Sequence, residues 1–79
     1  MPHEVVLYVA EGCGLCADAS RALAALRSAH PFTLTEVDIH TDPELERRYL
    51  IEIPVVVVDG LEVARGAIDF LAVRAALGV

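Results

Sequence analysis

Residues 5–16 have the sequence VVLYVAEGCGLC, an apolar run followed by two cysteines in a C-x-x-C spacing. The run at 5–9 is typical of a strand covered on both faces, and helical spacing of apolar residues begins at Leu15. Cys13 and Cys16 are the only cysteines of the chain. A strand that leads two thiols to the first turn of a helix suits thiol–disulfide exchange, because unpaired N–H groups and the helix dipole favour a thiolate there.

The charge and composition of the chain limit its partners. Its 79 residues include 12 acidic residues, six arginines and no lysine, for a formal net charge of −6. Such a surface is a poor match for nucleic acid or an anionic membrane, both of which bind basic patches. We expect neither as a partner. The apolar runs also fall well short of the roughly 20 residues that span a bilayer.

The cellular location is predicted from the first residues and from the cysteine content. Residues 1–4 lack the basic start of a secretory signal, and the apolar segment that follows is too short for its core. We therefore expect a cytoplasmic protein, a single domain over residues 1–79, and a monomer. Cytoplasmic thiols are kept reduced, which favours a reactive or metal-binding pair over a structural disulfide.

Periodicity predicts the order β-α-β-α-β-β-α. The predicted elements are a strand over residues 5–9, a helix over 15–29, a strand over 32–38, a helix from 41 or 42 to 49 or 50, strands over 53–58 and 61–63, and a helix from about 67. The first half forms a parallel unit through a right-handed crossover, and Asp59-Gly60 predicts an antiparallel hairpin. The sheet is therefore mixed, with helices on both faces.

The sequence leaves two details open: the N-cap of the second helix and the buried residue near the end of the second strand. The second helix is capped either by Thr41 or by Asp42, which Pro43 follows in the first turn. Near the end of the second strand, either Val37 or Ile39 continues the buried face.

Three features together resemble the glutaredoxin-like form of the thioredoxin fold. They are the CGLC motif at residues 13–16, the pair Ile53-Pro54 at the start of the third strand, and the order of elements. The stretch VDIHTDP at residues 37–43 is further similar to small bacterial glutaredoxin-like proteins grouped as a domain of unknown function. The resemblance covers essentially the whole chain. It implies an α/β protein with the minimal thioredoxin fold, in which a four-stranded mixed sheet is flanked by three helices.

The resemblance also implies a role for each residue of the motif. Cys13 is the expected nucleophile that attacks a disulfide, and Cys16 is the expected resolving thiol that displaces the reduced product. Pro54 matches the cis-proline that faces the cysteines in the family, which leaves the backbone of Ile53 free to pair with a substrate strand. The residues expected to contact substrate are Gly14, Leu15, Ile53 and Pro54.

Several positions depart from the pattern of better-known relatives. Glu11 lies two residues before Cys13, where glutaredoxins carry a lysine close to the motif, and a carboxylate there disfavours a thiolate. Leu7 occupies the place of the buried aspartate that serves proton transfer in thioredoxins. The Gly-Gly pair and the two acids that bind glutathione are missing from residues 64–69. These departures weaken the expectation of a glutathione site.

The sequence therefore predicts a thiol–disulfide oxidoreductase that acts on a disulfide-containing protein or small molecule. It predicts no bound cofactor, and an external thiol reductant, glutathione or a thioredoxin-type protein, regenerates the dithiol. No metal site is expected within one chain, because two cysteines fall short of the roughly four ligands of zinc. Two alternatives stay open: a non-catalytic module that binds a partner in the groove beside Pro54, and a dimer in which two C-x-x-C motifs share a metal.

Overall fold

The computed structural model describes residues 2–79, which form four strands, three α-helices and one 3₁₀ turn. The strands are β1 (Glu4–Val9), β2 (Thr33–Asp38), β3 (Val55–Val58) and β4 (Leu61–Arg65). The helices are α1 (Gly14–Ala29), α2 (Pro43–Tyr49) and α3 (Phe70–Leu77), and the 3₁₀ turn covers Ile39–Thr41 before α2. The predicted order of elements is confirmed.

The four strands form one mixed sheet in the order β2-β1-β3-β4. Strand β1 pairs in parallel with β2, because α1 crosses over between them, and antiparallel with β3. Strands β3 and β4 form an antiparallel hairpin. Its turn residues, Asp59 and Gly60, have φ values of +50° and +84°, as the predicted two-residue turn requires.

The two faces of the sheet bury two different clusters of side chains. The larger cluster lies under α1 and α3, and its buried residues are Val5, Leu7, Ala19, Leu23, Phe32, Val56, Val58, Val73 and Leu77. The smaller cluster lies on the other face under α2, and its buried residues are Ile39, Tyr49 and Val55. Because successive side chains of a strand point to opposite faces, the valines of β3 serve both clusters. Helices therefore cover both faces, as predicted.

The structure settles the two local choices left open by the sequence. Asp42 caps α2, since its carboxylate accepts the N–H of Glu44 at 2.9 Å. The Thr41 hydroxyl instead donates to the C=O of Asp38 at 2.7 Å. Ile39 is fully buried, whereas Val37 is half-buried.

The bounds of three elements in the second half differ from the prediction. Strand β3 begins at Val55 rather than at residue 53, because Pro54 has no N–H to offer the ladder. Strand β4 continues to Arg65, which pairs with Val55 beyond an irregularity in the register. Helix α3 begins at Phe70 rather than near residue 67, because the Asp69 carboxylate caps it by accepting the N–H of Leu71 at 2.9 Å.

Candidate functional site

The two cysteines lie where the loop after β1 enters α1, and they form a disulfide. Their Cα atoms are 5.2 Å apart. Cys13 is the N-cap of α1, and its Sγ accepts the backbone N–H of Cys16 at 3.1 Å. The sulfur therefore takes the hydrogen-bond position that a serine or aspartate oxygen occupies at other helix starts.

The four residues of the motif differ in exposure. Cys13 is half-buried, whereas Cys16 is only 3% exposed. Gly14 is exposed, and the Leu15 side chain is 51% exposed. An incoming disulfide therefore meets Cys13 before Cys16, which is the asymmetry that a nucleophile and a resolving thiol need.

The charges around the motif are mostly negative, but none lies in the first turn of α1. That turn contains no acidic residue, so the dipole of this 16-residue helix is left to act on the Cys13 sulfur. Glu11 is exposed in the preceding loop. His40 Nδ1 donates to the Glu46 carboxylate at 2.6 Å, which raises the pKa of His40, and the carboxylates of Asp38 and Glu11 add to the shift. The Glu11 carboxylate thus also acts on the loop after β2.

A cleft of about 280 Å³ opens beside the cysteines. Its lining residues are Val9, Ala10, Gly12, Cys13, Cys16, Ala17, Ser20 and Glu36. The Ser20 hydroxyl donates to Oε2 of Glu36 at 2.8 Å, and the two side chains form the polar part of the cleft wall. Ser20 and Glu36 were not among the site residues predicted from the sequence. The available signal was that Ser20 lies four residues after Cys16, on the same face of a helix.

A second groove, of about 310 Å³, lies between α1 and the connection from β4 to α3. Its lining residues are Leu15, Asp18, Ala19, Ala22, Gly66, Ala67, Ile68 and Phe70. Within the described part of the chain, Asp18 is the one charged residue that lines it, and Asp18 is ion-paired with Arg21. The groove therefore offers an apolar surface that begins at the exposed Leu15 of the motif.

Ile53 and Pro54 lie outside both clefts. The peptide bond between them is cis, and Pro54 is buried. The N–H of Ile53 donates to the C=O of Tyr49 at 3.2 Å. We expected the Ile53 backbone to be free to pair with a substrate strand. For its N–H this expectation is wrong, because that group is already bonded within the chain. Among residues 2–79 its C=O accepts no backbone hydrogen bond, whereas the C=O of Pro54 accepts the N–H of Gly66 at 2.8 Å.

Arg65, next to this segment, is held by two carboxylates. Its guanidinium is ion-paired with Glu62 and, at 2.9 Å, with Glu52. The hydrogen bond to Glu62, followed by the charge of Glu52, raises the pKa of Arg65. A guanidinium engaged in this way is poorly placed to bind an anionic ligand.

Metal ligands are sparse around the cysteines. Among residues 2–79, no three side chains from His, Cys, Asp and Glu come together as a metal site would need. His3 and His40 are instead bonded to the carboxylates of Asp59 and Glu46. No helix in the same part of the chain is long and apolar enough to cross a membrane.

Known proteins resemble the chain in sequence and in fold. Residues 4–78 match the sequence profile described as Glutaredoxin-like domain (DUF836). The solution NMR structure of protein Ne2328 from Nitrosomonas europaea superposes with a TM-score of 0.87 at 28% identity, over 98% of this chain and 93% of that one. No curated protein matches the chain with statistical significance.

More distant structures include thioredoxins. Fasciola hepatica thioredoxin has a TM-score of 0.65 at 24% identity, over 98% of this chain and 79% of that one. The oxidized form of mitochondrial thioredoxin 3 from Saccharomyces cerevisiae has a TM-score of 0.70 at 20% identity, over 96% of this chain and 76% of that one. At these identities the likeness concerns the fold alone, and it confirms the predicted minimal thioredoxin fold.

Proposed function

Because the chain belongs to the glutaredoxin-like domain family (DUF836), we propose that it is a thiol–disulfide oxidoreductase whose reactive couple is Cys13 and Cys16. The observation that carries the proposal is the position of Cys13 as the N-cap of α1. Its Sγ accepts the N–H of Cys16 at 3.1 Å, and the first turn contains no acid. The same N–H group and the helix dipole favour the thiolate in the reduced protein.

The proposed reaction has two steps. The Cys13 thiolate attacks one sulfur of a substrate disulfide, whose S–S bond breaks, and the other substrate sulfur leaves as a thiolate. Cys16 then loses its proton and attacks the Cys13 sulfur, which releases the second substrate thiolate and leaves the Cys13–Cys16 disulfide. The substrate gains two electrons and the protein loses them. An external thiol, glutathione or a thioredoxin-type protein, then reduces the pair.

The surroundings of the motif favour a protein disulfide as substrate. The apolar groove that begins at Leu15 suits an apolar side chain beside the substrate cysteine. Gly14 leaves room for a close approach, and the C=O of Ile53 is available to accept a backbone N–H. Arg65 is already held by Glu52 and Glu62, which argues against a glutathione carboxylate as its partner.

Serine substitutions test the proposal. We expect Cys13→Ser to abolish reduction of a peptide disulfide, because no nucleophile remains for the first step. Cys16→Ser should instead accumulate a mixed disulfide with the peptide, visible as added mass that dithiothreitol removes. Ala24→Ser, at an exposed position of α1 outside both clefts, is the matched control and should retain activity. Disulfide reduction that survives in Cys13→Ser would contradict the assignment.

A binding module without thiol chemistry is the second candidate, and the apolar groove from Leu15 to Phe70 favours it. A partner trapped by Cys16→Ser can be tested against the Cys13→Ser, Cys16→Ser double variant. Unchanged affinity of that partner for the double variant would support docking by the groove alone. A large loss of affinity would assign the interaction to the thiols.

A further inference from the structure

The second step of the proposed reaction needs a group that accepts the proton of Cys16. Cys16 is only 3% exposed, and a thiol among apolar atoms ionises less readily than one in water. The strand that leads to the motif does not supply a base, because Val5, Leu7 and Val9 are apolar. A side chain that accepts this proton would therefore come from an element other than β1.

Glu36 and Ser20 form the polar wall of the cleft to which both cysteines contribute. Ser20 lies one turn after Cys16 on α1, and Glu36 lies opposite Leu7 in the pairing of β1 with β2. The Ser20 hydroxyl donates to Oε2 of Glu36 at 2.8 Å, which fixes one carboxylate oxygen. Among the described residues that line the cleft, Glu36 is the one carboxylate.

We propose that Glu36, oriented by Ser20, accepts the proton of Cys16 during the resolving step; this inference rests on the proposed oxidoreductase function. The Cys16 S–H bond breaks and its proton passes across the cleft to the Glu36 carboxylate. The new bond joins the sulfurs of Cys13 and Cys16, and the bond from Cys13 to the substrate sulfur breaks. The substrate leaves with that electron pair as a thiolate, and Glu36 returns its proton to the thiolate or to solvent.

The other charged groups nearby do not line the cleft and are bonded to other partners. Asp38, two residues after Glu36 on β2, accepts the N–H of His40 at 2.9 Å. His40 is itself bonded to Glu46. On α1, Asp18 lines the second groove, between α1 and the connection from β4 to α3, and is paired with Arg21.

Glu11 is the remaining carboxylate close to the motif. It is exposed in the loop before Cys13 and does not line the cleft. Because it lies outside the cleft that both cysteines line, it is less well placed than Glu36 to accept the proton. Glu36 is the carboxylate that shares a cleft with Cys16.

Single-turnover kinetics separate the two steps. The reduced protein is mixed with dithiodipyridine, a neutral disulfide that releases one coloured thione when Cys13 attacks and a second when Cys16 resolves the mixed disulfide. We expect Glu36→Gln to slow the second release about 100-fold near neutral pH and to leave the first within about twofold, as is typical for loss of a general base. Ser20→Ala should slow the second release less.

The pH profile distinguishes a proton acceptor from a structural role. In the wild-type protein the second release should be nearly independent of pH around neutrality, because an ionised carboxylate takes the proton. In Glu36→Gln it should rise about tenfold per pH unit, since solvent hydroxide must then ionise the thiol. Added formate, a small carboxylate, should partly restore the rate of Glu36→Gln.

Glu4→Gln removes an exposed carboxylate at the opposite end of β1 and should leave both releases unchanged. Equal second-phase rates in the wild type and in Glu36→Gln would overturn the inference. A slowed second phase that keeps the wild-type pH profile would overturn it too. A wild-type protein that releases no thione would instead overturn the oxidoreductase proposal on which it rests.

Discussion

The N-termini of α1 and α2 are capped by different chemistry. Cys13 caps α1 through its sulfur, and the first turn of that helix contains no acid. Asp42 caps α2 through a carboxylate, Pro43 opens the helix, and Glu44 and Glu46 lie in its first turn. Because carboxylates at a helix start satisfy N–H groups and interact favourably with the dipole, α2 uses its N-terminus for its own stability. Helix α1 leaves the same groups to a sulfur that can change its charge.

The two helices also differ in their length and in how they pack against the sheet. Helix α1 has 16 residues and buries Ala19 and Leu23 in the larger cluster, so packing offsets the weaker cap. Helix α2 has only seven residues, and helices this short are marginal without tertiary contacts. It depends on Tyr49, which stacks on Tyr8 with ring centroids 4.8 Å apart. The N-terminal cap therefore contributes more to the stability of α2, whereas α1 tolerates a weaker cap.

Among the substitutions that test this difference between the helices, removal of the α2 cap has the largest expected effect. We expect Asp42→Ala to lower the free energy of unfolding by about 1 kcal/mol, because the N–H of Glu44 loses its acceptor. Urea unfolding of the reduced protein measures this. Thr41→Ala, at the neighbouring position, is the control and should cost less. A larger loss for Thr41→Ala would show that the cap has been assigned to the wrong residue.

A second substitution gives the first turn of α1 a carboxylate, as the first turn of α2 has, and its expected effect is smaller. Leu15, the second residue of α1, is 51% exposed, so Leu15→Glu adds a carboxylate to the first turn without disturbing the core. We expect Cys13 in the reduced variant to react with iodoacetamide about two- to fivefold more slowly, because the added charge disfavours the thiolate.

Leu71 provides a matched control for this variant. It is the second residue of α3 and is 76% exposed. Leu71→Glu should leave the alkylation rate of Cys13 at the wild-type value, because its carboxylate lies at a different helix. A Leu15→Glu protein that reacts as fast as wild type would contradict the role given to the α1 dipole.

The smallest effect concerns the pH dependence of the α2 region. The hydrogen bond to Glu46 is the main cause that raises the pKa of His40 above its usual 6.5. A raised pKa in the folded state stabilises the fold fully below the unfolded value, and this contribution is lost as the pH rises through the folded value. Both side chains are about half exposed, so the effect on stability is small.

Glu46→Gln tests this contact. Proton NMR titration should place the pKa of His40 in the variant closer to 6.5. The pH-dependent part of the difference in stability should be present in mildly acidic solution and should fade above neutral pH. Glu44→Gln, an acid in the same turn that pairs with Arg47 instead, is the control. An unchanged His40 titration in Glu46→Gln would refute the assigned cause.

The sequence was sufficient to predict the fold and the position of the two cysteines at the start of α1, because the signals for both are local. The cysteines follow an apolar strand and open an amphipathic helix, and the glycine after Asp59 predicted the hairpin. The start of α3 was not predictable, since the apolar residues Ala67 and Ile68 extend the helical pattern and only the Asp69 cap ends it.

The Glu36–Ser20 pair was beyond sequence reasoning for a different reason. The two residues are 16 positions apart, on different elements, and their contact depends on how β2 pairs with β1 and on how α1 lies over the sheet. No spacing rule connects them. The choice between Asp42 and Thr41 likewise depended on the 3₁₀ turn at Ile39–Thr41, in which Thr41 bonds to Asp38 instead of to α2.

The central claim is that Cys13 and Cys16 form a working redox couple, and the reduction potential of the pair tests it most directly. The protein is equilibrated with dithiol and disulfide buffers, its thiols are trapped, and the masses are measured. The account predicts a potential between roughly −170 and −280 mV, the range of working oxidoreductases. A pair that never oxidises, or one that stays oxidised to far below about −300 mV as structural disulfides do, would contradict it.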